Sequence, residues 1–366
     1  MEEAIRYHRI NTGNEIVLLP LVPDIRKLYV EVTAECNFSC ITCIRHSWSD
    51  EIGRMSFATF ERLLADCKQL PDLQTIHFGG FGEPLTHPDI EDMVACCKQA
   101  GYTVEMISNG SLLTDAVIAA LLTTGLDYLF ISLDGSDPQS YEAIRPGADY
   151  QAVLGNIKRL QQIKKRRGTV LPRLGIEFVA TRSNFSRLPF MRKVVDELQA
   201  DRLIVTNMLP YHESMQSEIL YDQGFDLANF GWESPLLSVK TAPTMKLETR
   251  RFCRFVEGRA AAVTWQGEVA PCYALMHSYD CYIFGRKKAM TAQSFGNVRQ
   301  RSLADIWTDP AYATFRWISR TSQYPSCTDC RQVDGCNLAQ TNEGDCWGNS
   351  PSCGDCLWAR GLIVCP

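Results

Sequence analysis

Three cysteines, Cys36, Cys40 and Cys43, lie within eight residues, directly after the apolar stretch LYVEVT. A short loop that follows a buried strand can direct three thiolates to one side, where they suit three corners of an iron–sulfur cube. A structural zinc site instead prefers a closed set of four ligands. Three ligands leave one metal position open, and a small molecule can bind and react there. The spacing therefore favours a reactive cluster over a zinc knuckle that recruits a distant fourth ligand such as His46.

Composition limits the partners that the chain can have. The 366 residues are enough for about two domains. A net charge of −5 predicts no bulk attraction to nucleic acid or to an anionic membrane. No stretch approaches the roughly 20 apolar residues that a membrane span needs, so we expect a cytoplasmic protein. Sixteen cysteines in that reducing compartment favour metal ligation over disulfides.

Short apolar runs alternate with helical periodicity between residues 23 and 210, which we interpret as the core domain. The candidate strands have nearly continuous apolar centres, as strands buried on both faces do. They are Leu28–Thr33, Thr75–Phe78, Thr103–Ile107, Tyr128–Leu133, Leu174–Ala180 and Arg202–Asn207. The helices between them are Ser56–Gln69, Pro88–Ala100, Thr114–Thr123, Asp149–Lys165 and Leu188–Leu198. Six βα units are too few for a closed eight-stranded barrel, so the predicted fold class is α/β, with a partial (β/α)6 barrel.

The remaining segments differ from this core. Residues 1–22 form an N-terminal extension, and residues 211–248, where the periodicity breaks down, form a linker or a substrate-facing insertion. Residues 249–366 carry ten of the sixteen cysteines and few long periodic segments. We expect this C-terminal domain to have little regular structure and to depend on bound metal for much of its stability.

The three-cysteine loop (residues 36–43) resembles the cluster motif of the radical S-adenosylmethionine (radical SAM) superfamily. The resemblance implies that Cys36, Cys40 and Cys43 hold a [4Fe–4S] cluster whose fourth iron binds SAM. It also implies that an electron from the cluster cleaves SAM to a 5′-deoxyadenosyl radical, which then abstracts a hydrogen atom from the substrate. The matching part of the chain runs from about residue 23 to residue 207.

The same resemblance implies contacts with SAM at the ends of the next strands. The sequence FGGFGEP follows the second strand, and its glycines allow close approach of the backbone to the methionine amino group. Ribose-binding groups are implied at the ends of the third and fourth strands, and a basic group near the methionine carboxylate. The implied cofactor residues are Gly79, Gly80, Gly82, Glu83, Ser108, Asn109, Ser132, Asp134 and Arg145. Two alternatives remain open, a plain turn for FGGFGEP and a surface ion pair for Arg145.

The cysteines after Arg251 resemble the SPASM extension that follows some radical SAM domains, which implies one or two auxiliary [4Fe–4S] clusters. The Gly-x4-Cys hairpin and the CxxC-x5-C run are present, but position 340 is Gln where the pattern has a fourth cysteine. The first implied ligand set is Cys253 and Cys272 with Cys346. The second is Cys327, Cys330 and Cys336 with Cys353 or Cys356. Structural zinc sites built from the CxxC pairs are the alternative.

The tail DCWGNSPSCGDCLWARGLIVCP resembles the ending of radical SAM proteins that are associated with tungsten-containing aldehyde:ferredoxin oxidoreductases. This implies a maturase or cofactor-modifying role, with the oxidoreductase or its pterin cofactor as partner and a reduced ferredoxin or flavodoxin as electron donor. A peptide-modifying enzyme that forms a crosslink or thioether is the second hypothesis, and a zinc-stabilised scaffold without enzymatic activity is the third. Tyr273 follows Cys272 where sulfatase maturases have a carboxylate base, which argues against serine or cysteine oxidation. No residue is assigned as a general acid or base.

Overall fold

The computed structural model describes residues 5–13, 15–221, 238–241 and 251–364. Its strands are β1 (Tyr7–Asn11), β2 (Ile16–Pro20), β3 (Lys27–Glu31), β4 (Thr75–Gly79), β5 (Thr103–Ser108), β6 (Tyr128–Ser132), β7 (Arg173–Ala180), β8 (Arg202–Asn207), β9 (Ser238–Thr241), β10 (Ala260–Val263), β11 (Val269–Ala270), β12 (Tyr279–Ile283) and β13 (Arg286–Met290). Its helices are α1 (Phe57–Cys67), α2 (Ile90–Gln99), α3 (Asp115–Thr124), α4 (Pro138–Ile144), α5 (Tyr150–Arg167), α6 (Arg182–Phe185), α7 (Met191–Glu197), α8 (Arg254–Glu257), α9 (Leu303–Trp307) and α10 (Pro310–Arg320).

One sheet organises the molecule. Its strand order is β11-β10-β3-β4-β5-β6-β7-β8-β9, and every neighbouring pair is parallel except the β10–β11 hairpin. The six strands from β3 to β8 are those expected from the sequence, and α1 to α7 lie in the connections between them, so the α/β fold class is confirmed. Because the strands are parallel, their carboxyl ends share one edge, and the connecting loops meet there.

The sequence explains most helix boundaries directly. Ser56 and Thr114 cap α1 and α3 by accepting hydrogen bonds from Thr59 N and Val117 N. Gly125 ends α3 in the left-handed conformation, with φ of +78°. The expected start of the second helix at Pro88 was too early, because the preceding chain is turned and the helix begins only after Asp89.

The C-terminal domain joins the sheet instead of standing apart from it. Strand β10 pairs with β3, and the segment Leu357–Val364, here called the C-terminal tail, packs against the end of β8. Asn207 Nδ2 donates to the Leu362 carbonyl at 2.7 Å, and Val364 N donates to Thr206 Oγ1 at 2.9 Å. In the described residues this domain has short strands, short helices and 3-10 turns, as expected for little regular structure.

The domain boundaries inferred from the sequence stay predictions. The proposed N-terminal extension contains the β1–β2 hairpin, which contacts α10 through His8 Nε2 and Thr314 Oγ1 at 3.1 Å. In the proposed linker, residues 222–237 and 242–248 lie outside the described residues, while β9 adds a parallel strand next to β8. Among the helices that the structure describes, none is long and apolar enough to cross a membrane.

Candidate active site at the three-cysteine loop

The three-cysteine loop opens on a cavity of about 310 Å³ at the carboxyl ends of the barrel strands, here called the cofactor cavity. The thiols of Cys36, Cys40 and Cys43 all line it. Seven of the nine cofactor residues expected from the sequence also line it, namely Gly80, Gly82, Glu83, Ser108, Asn109, Ser132 and Arg145. Gly79 and Asp134 are the two that do not. The structure thus brings the predicted cluster ligands and most predicted cofactor residues to one cavity.

Arg45 holds the three-cysteine loop in shape. Its guanidinium donates to the Ala34 carbonyl at 2.8 Å, to the Phe38 carbonyl at 3.1 Å and to Cys43 Sγ at 3.4 Å. Burial opposes the charge of this guanidinium, but the neighbouring thiol groups, Cys43 first, outweigh it and raise the pKa of Arg45. The loop therefore carries a fixed cation beside its thiolates.

The donor set of the loop fits an iron–sulfur cube. Burial raises the pKa of the Cys36 thiol and raises that of Cys40 to about 11, so a positively charged metal is needed to stabilise the thiolates at neutral pH. In the described part of the chain no three His, Cys, Asp or Glu side chains are placed to hold one metal ion. A cube does not need such convergence, because each thiolate binds a different iron.

The glycine loop, residues 79–82, packs closely against β3 and against residues 33–35, which lead from β3 into the three-cysteine loop. Gly80 has φ of +105°, and a Cβ added there would lie 2.6 Å from Cγ of Glu31. A Cβ added at Gly82 would lie only 2.1 Å from the carbonyl oxygen of Thr33. Side chains are therefore excluded at both positions, and bare backbone faces the cofactor cavity, as expected where a ligand approaches closely.

Glu83 connects the ends of β4 and β5. Its buried carboxylate accepts hydrogen bonds from Ser108 Oγ at 2.8 Å, Asn109 N at 2.6 Å and Leu85 N at 3.1 Å. Burial raises the pKa of Glu83, and these three donors counter that effect. Asn109 Nδ2 in turn donates to Asn37 Oδ1 in the three-cysteine loop at 2.8 Å. The hydrogen bond between Glu83 and Ser108 thus fixes this wall of the cavity.

Asp134 and Arg145 form a buried ion pair, so the surface ion pair considered for Arg145 is wrong. Asp134 Oδ2 accepts from Arg145 Nε at 2.9 Å and Nη2 at 2.7 Å, while Oδ1 accepts from Val179 N at 2.8 Å. Burial opposes the charge of Arg145, but Asp134 outweighs this and raises the pKa of the guanidinium. Asp134, which was expected to contact ribose, therefore holds Arg145 at the edge of the cofactor cavity.

Several residues of the cofactor cavity had not been singled out from the sequence. Glu177 of β7 and Thr206 and Asn207 of β8 line it. Glu177 had a usable signal, because it is the only charged residue inside the apolar run LGIEFVA. Trp358 also lines the cavity, since the fold brings the C-terminal tail over the barrel.

Four cysteines of the C-terminal domain gather beside the barrel. Cys253, Cys272 and Cys356 line a cavity of about 340 Å³ in the barrel interior, and Cys353 lines a small neighbouring cavity with Cys272 and Cys356. Burial raises the pKa of Cys253 to about 12, and the charge of Cys356 adds to this effect. These four thiols therefore surround two adjoining cavities, and Cys253, Cys353 and Cys356 act on one another electrostatically.

Two buried tyrosine hydroxyls support a cluster beside these four thiols. The hydroxyls of Tyr312 and Tyr324 have no hydrogen-bond partner among the described residues. Burial raises the pKa of both phenols, and the charges of Cys272 and Cys253 contribute at Tyr312, and those of Cys356, Cys353 and Cys253 at Tyr324. Orphaned buried donors cost free energy unless an acceptor arrives, and cluster sulfurs are such acceptors.

The second group of cysteines lies in an outer loop. Short 3-10 turns at Cys327–Asp329 and Val333–Gly335 keep Cys327, Cys330 and Cys336 together. Burial raises the pKa of Cys327 to about 11, and Cys346 is among the charges that add to it. The charge of Cys346 thus acts on Cys327, whereas the resemblance implied Cys346 as a ligand beside Cys253 and Cys272. The Cys327 thiol also lies against the Cys353–Cys356 turn, because a Cβ added at Gly354 would come within 2.5 Å of its Sγ.

Two contacts anchor the Cys353–Cys356 turn, one to the outer loop and one to α10. Cys327 N donates to the Gly354 carbonyl at 3.0 Å, and the Cys353 thiol lies 3.6 Å from Ser319 Oγ of α10. The C-terminal tail then continues directly onto β8, which holds Cys356 against the barrel. Neither contact is visible in cysteine spacing, so the sequence could not assign these two residues.

The fold and this site define a class of enzyme. The Radical SAM superfamily matches residues 30–177, and the SPASM iron–sulfur cluster-binding domain matches residues 253–331. The chain belongs to the radical SAM superfamily and is an enzyme with a [4Fe–4S] cluster, SAM and an auxiliary-cluster domain. It is 39% identical over 344 residues to the tungsten-containing aldehyde ferredoxin oxidoreductase cofactor-modifying protein of Pyrococcus furiosus, which covers 93% of this chain and 96% of that protein.

More distant relatives and solved structures are consistent with this class. The PqqA peptide cyclase of Methylorubrum extorquens strain PA1 is 26% identical, over 91% of this chain and 86% of that protein. The crystal structure of Streptococcus suis SuiB bound to S-adenosylmethionine has a TM-score of 0.60 at 17% identity and covers 90% of this chain and 74% of that chain. The structure of native anSMEcpe with bound AdoMet has a TM-score of 0.58 at 16% identity, and the match covers 92% of this chain and 93% of that chain. At these identities the two structures show a shared fold.

Proposed function

We propose that this enzyme modifies the tungsten–pterin cofactor of an aldehyde:ferredoxin oxidoreductase, or matures the oxidoreductase itself. One observation carries the proposal: the chain is 39% identical, almost from end to end, to a protein named for that modification. The similarity spans 93% of the chain, so it extends well beyond the three-cysteine loop that all radical SAM enzymes need.

The cofactor cavity suggests a role for each predicted residue. When bound at Cys36, Cys40 and Cys43, the cluster supplies the electron for reductive cleavage of SAM. The glycine loop presents backbone to the methionine amino group, and Arg145, fixed by Asp134, offers a guanidinium to the methionine carboxylate. Asn109 and Ser132 are the proposed ribose contacts, whereas Glu83, Ser108 and Asp134 act by positioning their neighbours. Gly79 acts through the backbone at the end of β4.

The auxiliary cysteines are proposed as two ligand sets. The set beside the barrel is Cys253, Cys272, Cys353 and Cys356, and the outer set is Cys327, Cys330, Cys336 and Cys346. The first set is supported by shared cavities and by the orphaned hydroxyls of Tyr312 and Tyr324. Each set supplies the four thiolates that a fully ligated cube requires.

Peptide modification is the second candidate function. It is supported by PqqA peptide cyclases that are 23% to 26% identical to this chain, which is a weaker similarity than that to the cofactor-modifying protein. The zinc-stabilised scaffold is not supported, because the C-terminal match is to an iron–sulfur cluster-binding domain. The reduced ferredoxin or flavodoxin donor and the cytoplasmic location stay predictions.

The proposal predicts a change in the mass of the pterin cofactor. A tungsten oxidoreductase would be produced anaerobically with the wild-type chain or with its Cys40→Ala variant, and the extracted pterin would be compared by mass spectrometry. We expect the modified mass only with wild type, because losing one cluster ligand abolishes SAM cleavage. An identical pterin in both preparations, with wild type shown to release 5′-deoxyadenosine, would exclude this substrate and favour the peptide alternative.

A further inference from the structure

Residues of the C-terminal domain hold the glycine loop in place. Gly80 N donates to the Tyr273 hydroxyl at 2.9 Å, and Phe81 N donates to Glu31 Oε1 at 3.2 Å. The other oxygen of Glu31 is 2.8 Å from His277 Nε2. Tyr273 and His277 both lie in the short segment after Cys272. Two consecutive backbone amides of the glycine loop are thus fixed, one directly and one through Glu31, by one segment of the C-terminal domain.

His277 is the centre of this arrangement. It is buried, with 1% of its surface exposed, and its ring stacks on Trp48 with centroids 3.9 Å apart. Its Nδ1 faces Asp50 Oδ2 at 3.2 Å, so each ring nitrogen faces a carboxylate. Only the imidazolium can donate from both nitrogens. Burial opposes that charge, but Glu31 and Asp50 outweigh the cost and raise the pKa of His277.

Fixing these amides also fixes the carbonyls behind them. A peptide unit is planar and trans, so its C=O points opposite to its N–H. The N–H groups of Gly80 and Phe81 are directed at Tyr273 and Glu31, and the carbonyls of Gly79 and Gly80 therefore point away from these partners. Backbone carbonyls held in one direction are preorganised acceptors for an ammonium group.

We propose that His277 is a positioning residue for SAM, which acts through Glu31 to orient the glycine loop toward the methionine amino group. The inference rests on the cofactor site proposed above. It adds that a side chain of the C-terminal domain, about 200 residues distant in sequence from the glycine loop, sets the affinity of that site. Asp50 supports His277 from the partly exposed side.

The test compares SAM binding with turnover in the anaerobically reconstituted full chain. His277→Leu removes both donors, so we expect the Kd for SAM, measured by equilibrium dialysis, to rise about tenfold or more. The rate of 5′-deoxyadenosine formation at saturating SAM should stay near wild type, because His277 is not among the residues that line the cofactor cavity. His277→Gln keeps one donor toward Glu31 and should lose less affinity. His8→Gln, which changes a partly buried histidine that contacts Thr314 far from the glycine loop in sequence, is the matched control.

Asp50→Asn keeps the test decisive if His277→Leu does not fold. Asp50 is 28% exposed on its side chain, so the variant should tolerate the change and raise the Kd for SAM by a few-fold. An unchanged Kd in the folded His277 and Asp50 variants overturns the proposal. So does a lower melting temperature with unchanged Kd, since that outcome shows a purely structural role. If wild type itself bound no SAM, the proposed cofactor site would fail first, which separates the two hypotheses.

Discussion

A glutamate inside an otherwise apolar strand indicates that a polar partner or a functional site lies nearby. Glu31 in β3, Glu105 in β5 and Glu177 in β7 each interrupt a buried run. Burying an unpaired carboxylate costs free energy, so each such glutamate predicts a hydrogen-bond or charge partner. The sequence alone does not show which residue that partner is. Glu31 has His277, and Glu105 has Lys27 and His77. Glu177 lines the cofactor cavity.

Glu105 yields a prediction about acid stability. Burial opposes its ionisation, but His77 and Lys27 outweigh this and lower its pKa from 4.5 to about 2. As pH falls, the unfolded chain takes up the proton first, so the stabilisation is complete above pH 4.5 and is lost toward pH 2. This stabilisation contributes on the order of 3 kcal/mol to the free energy of unfolding. Urea unfolding of wild type and Glu105→Gln should therefore differ most above pH 5 and converge as pH falls to 3. A constant difference over that range would contradict the assignment.

At the scale of elements, periodicity predicted the barrel strands well but not the strands that extend the sheet. Strands β3 to β8 have apolar, largely β-branched centres, which identify them without tertiary information. Strand β10 contains Ala260–Val263, an alanine run with no intrinsic strand preference. It is extended because the edge of β3 offers unpaired backbone groups with which it pairs. This pairing is a tertiary contact, so the residues next to β10 in the sequence do not reveal it.

The glycine loop gives a test at this scale. A Cβ at Gly82 would lie 2.1 Å from the Thr33 carbonyl oxygen and 2.7 Å from that of Glu35, and backbone cannot move aside cheaply. Gly82→Ala should therefore separate the glycine loop from the three-cysteine loop and weaken SAM binding at least about tenfold by equilibrium dialysis. Gly155→Ala is the control, because an added Cβ in this exposed turn of α5 meets nothing within 4 Å. It should leave SAM binding unchanged and stabilise the fold by about 1 kcal/mol. Equal SAM affinity in both variants would show that the close contact at Gly82 is not needed.

Across the whole molecule, the C-terminal domain contributes to both the sheet and the cofactor site. It supplies β10 beside β3, Tyr273 and His277 next to the glycine loop, and the C-terminal tail at the end of β8. Removing metal from the barrel-side cysteines should therefore disturb the cofactor cavity, whereas removing it from the outer loop should not. This expected difference between the two sites assumes the two ligand sets proposed above.

Pairs of cysteine variants can test those ligand sets by counting iron. Each single change, such as Cys253→Ser, Cys356→Ser or Cys346→Ser, should remove about four irons from the anaerobically reconstituted protein, because an auxiliary cube that loses one of its four thiolates has no SAM to occupy the opened iron and dissociates on purification. Cys253→Ser with Cys356→Ser should remove no more than either alone, since both serve one cluster. Cys253→Ser with Cys346→Ser should remove about eight, because the two residues serve different clusters. Under the pairing that the SPASM resemblance implies, with Cys356 as the fourth ligand of the second set, the two double variants would behave in reverse. SAM cleavage by the single variants would then show which cluster supports the cofactor cavity.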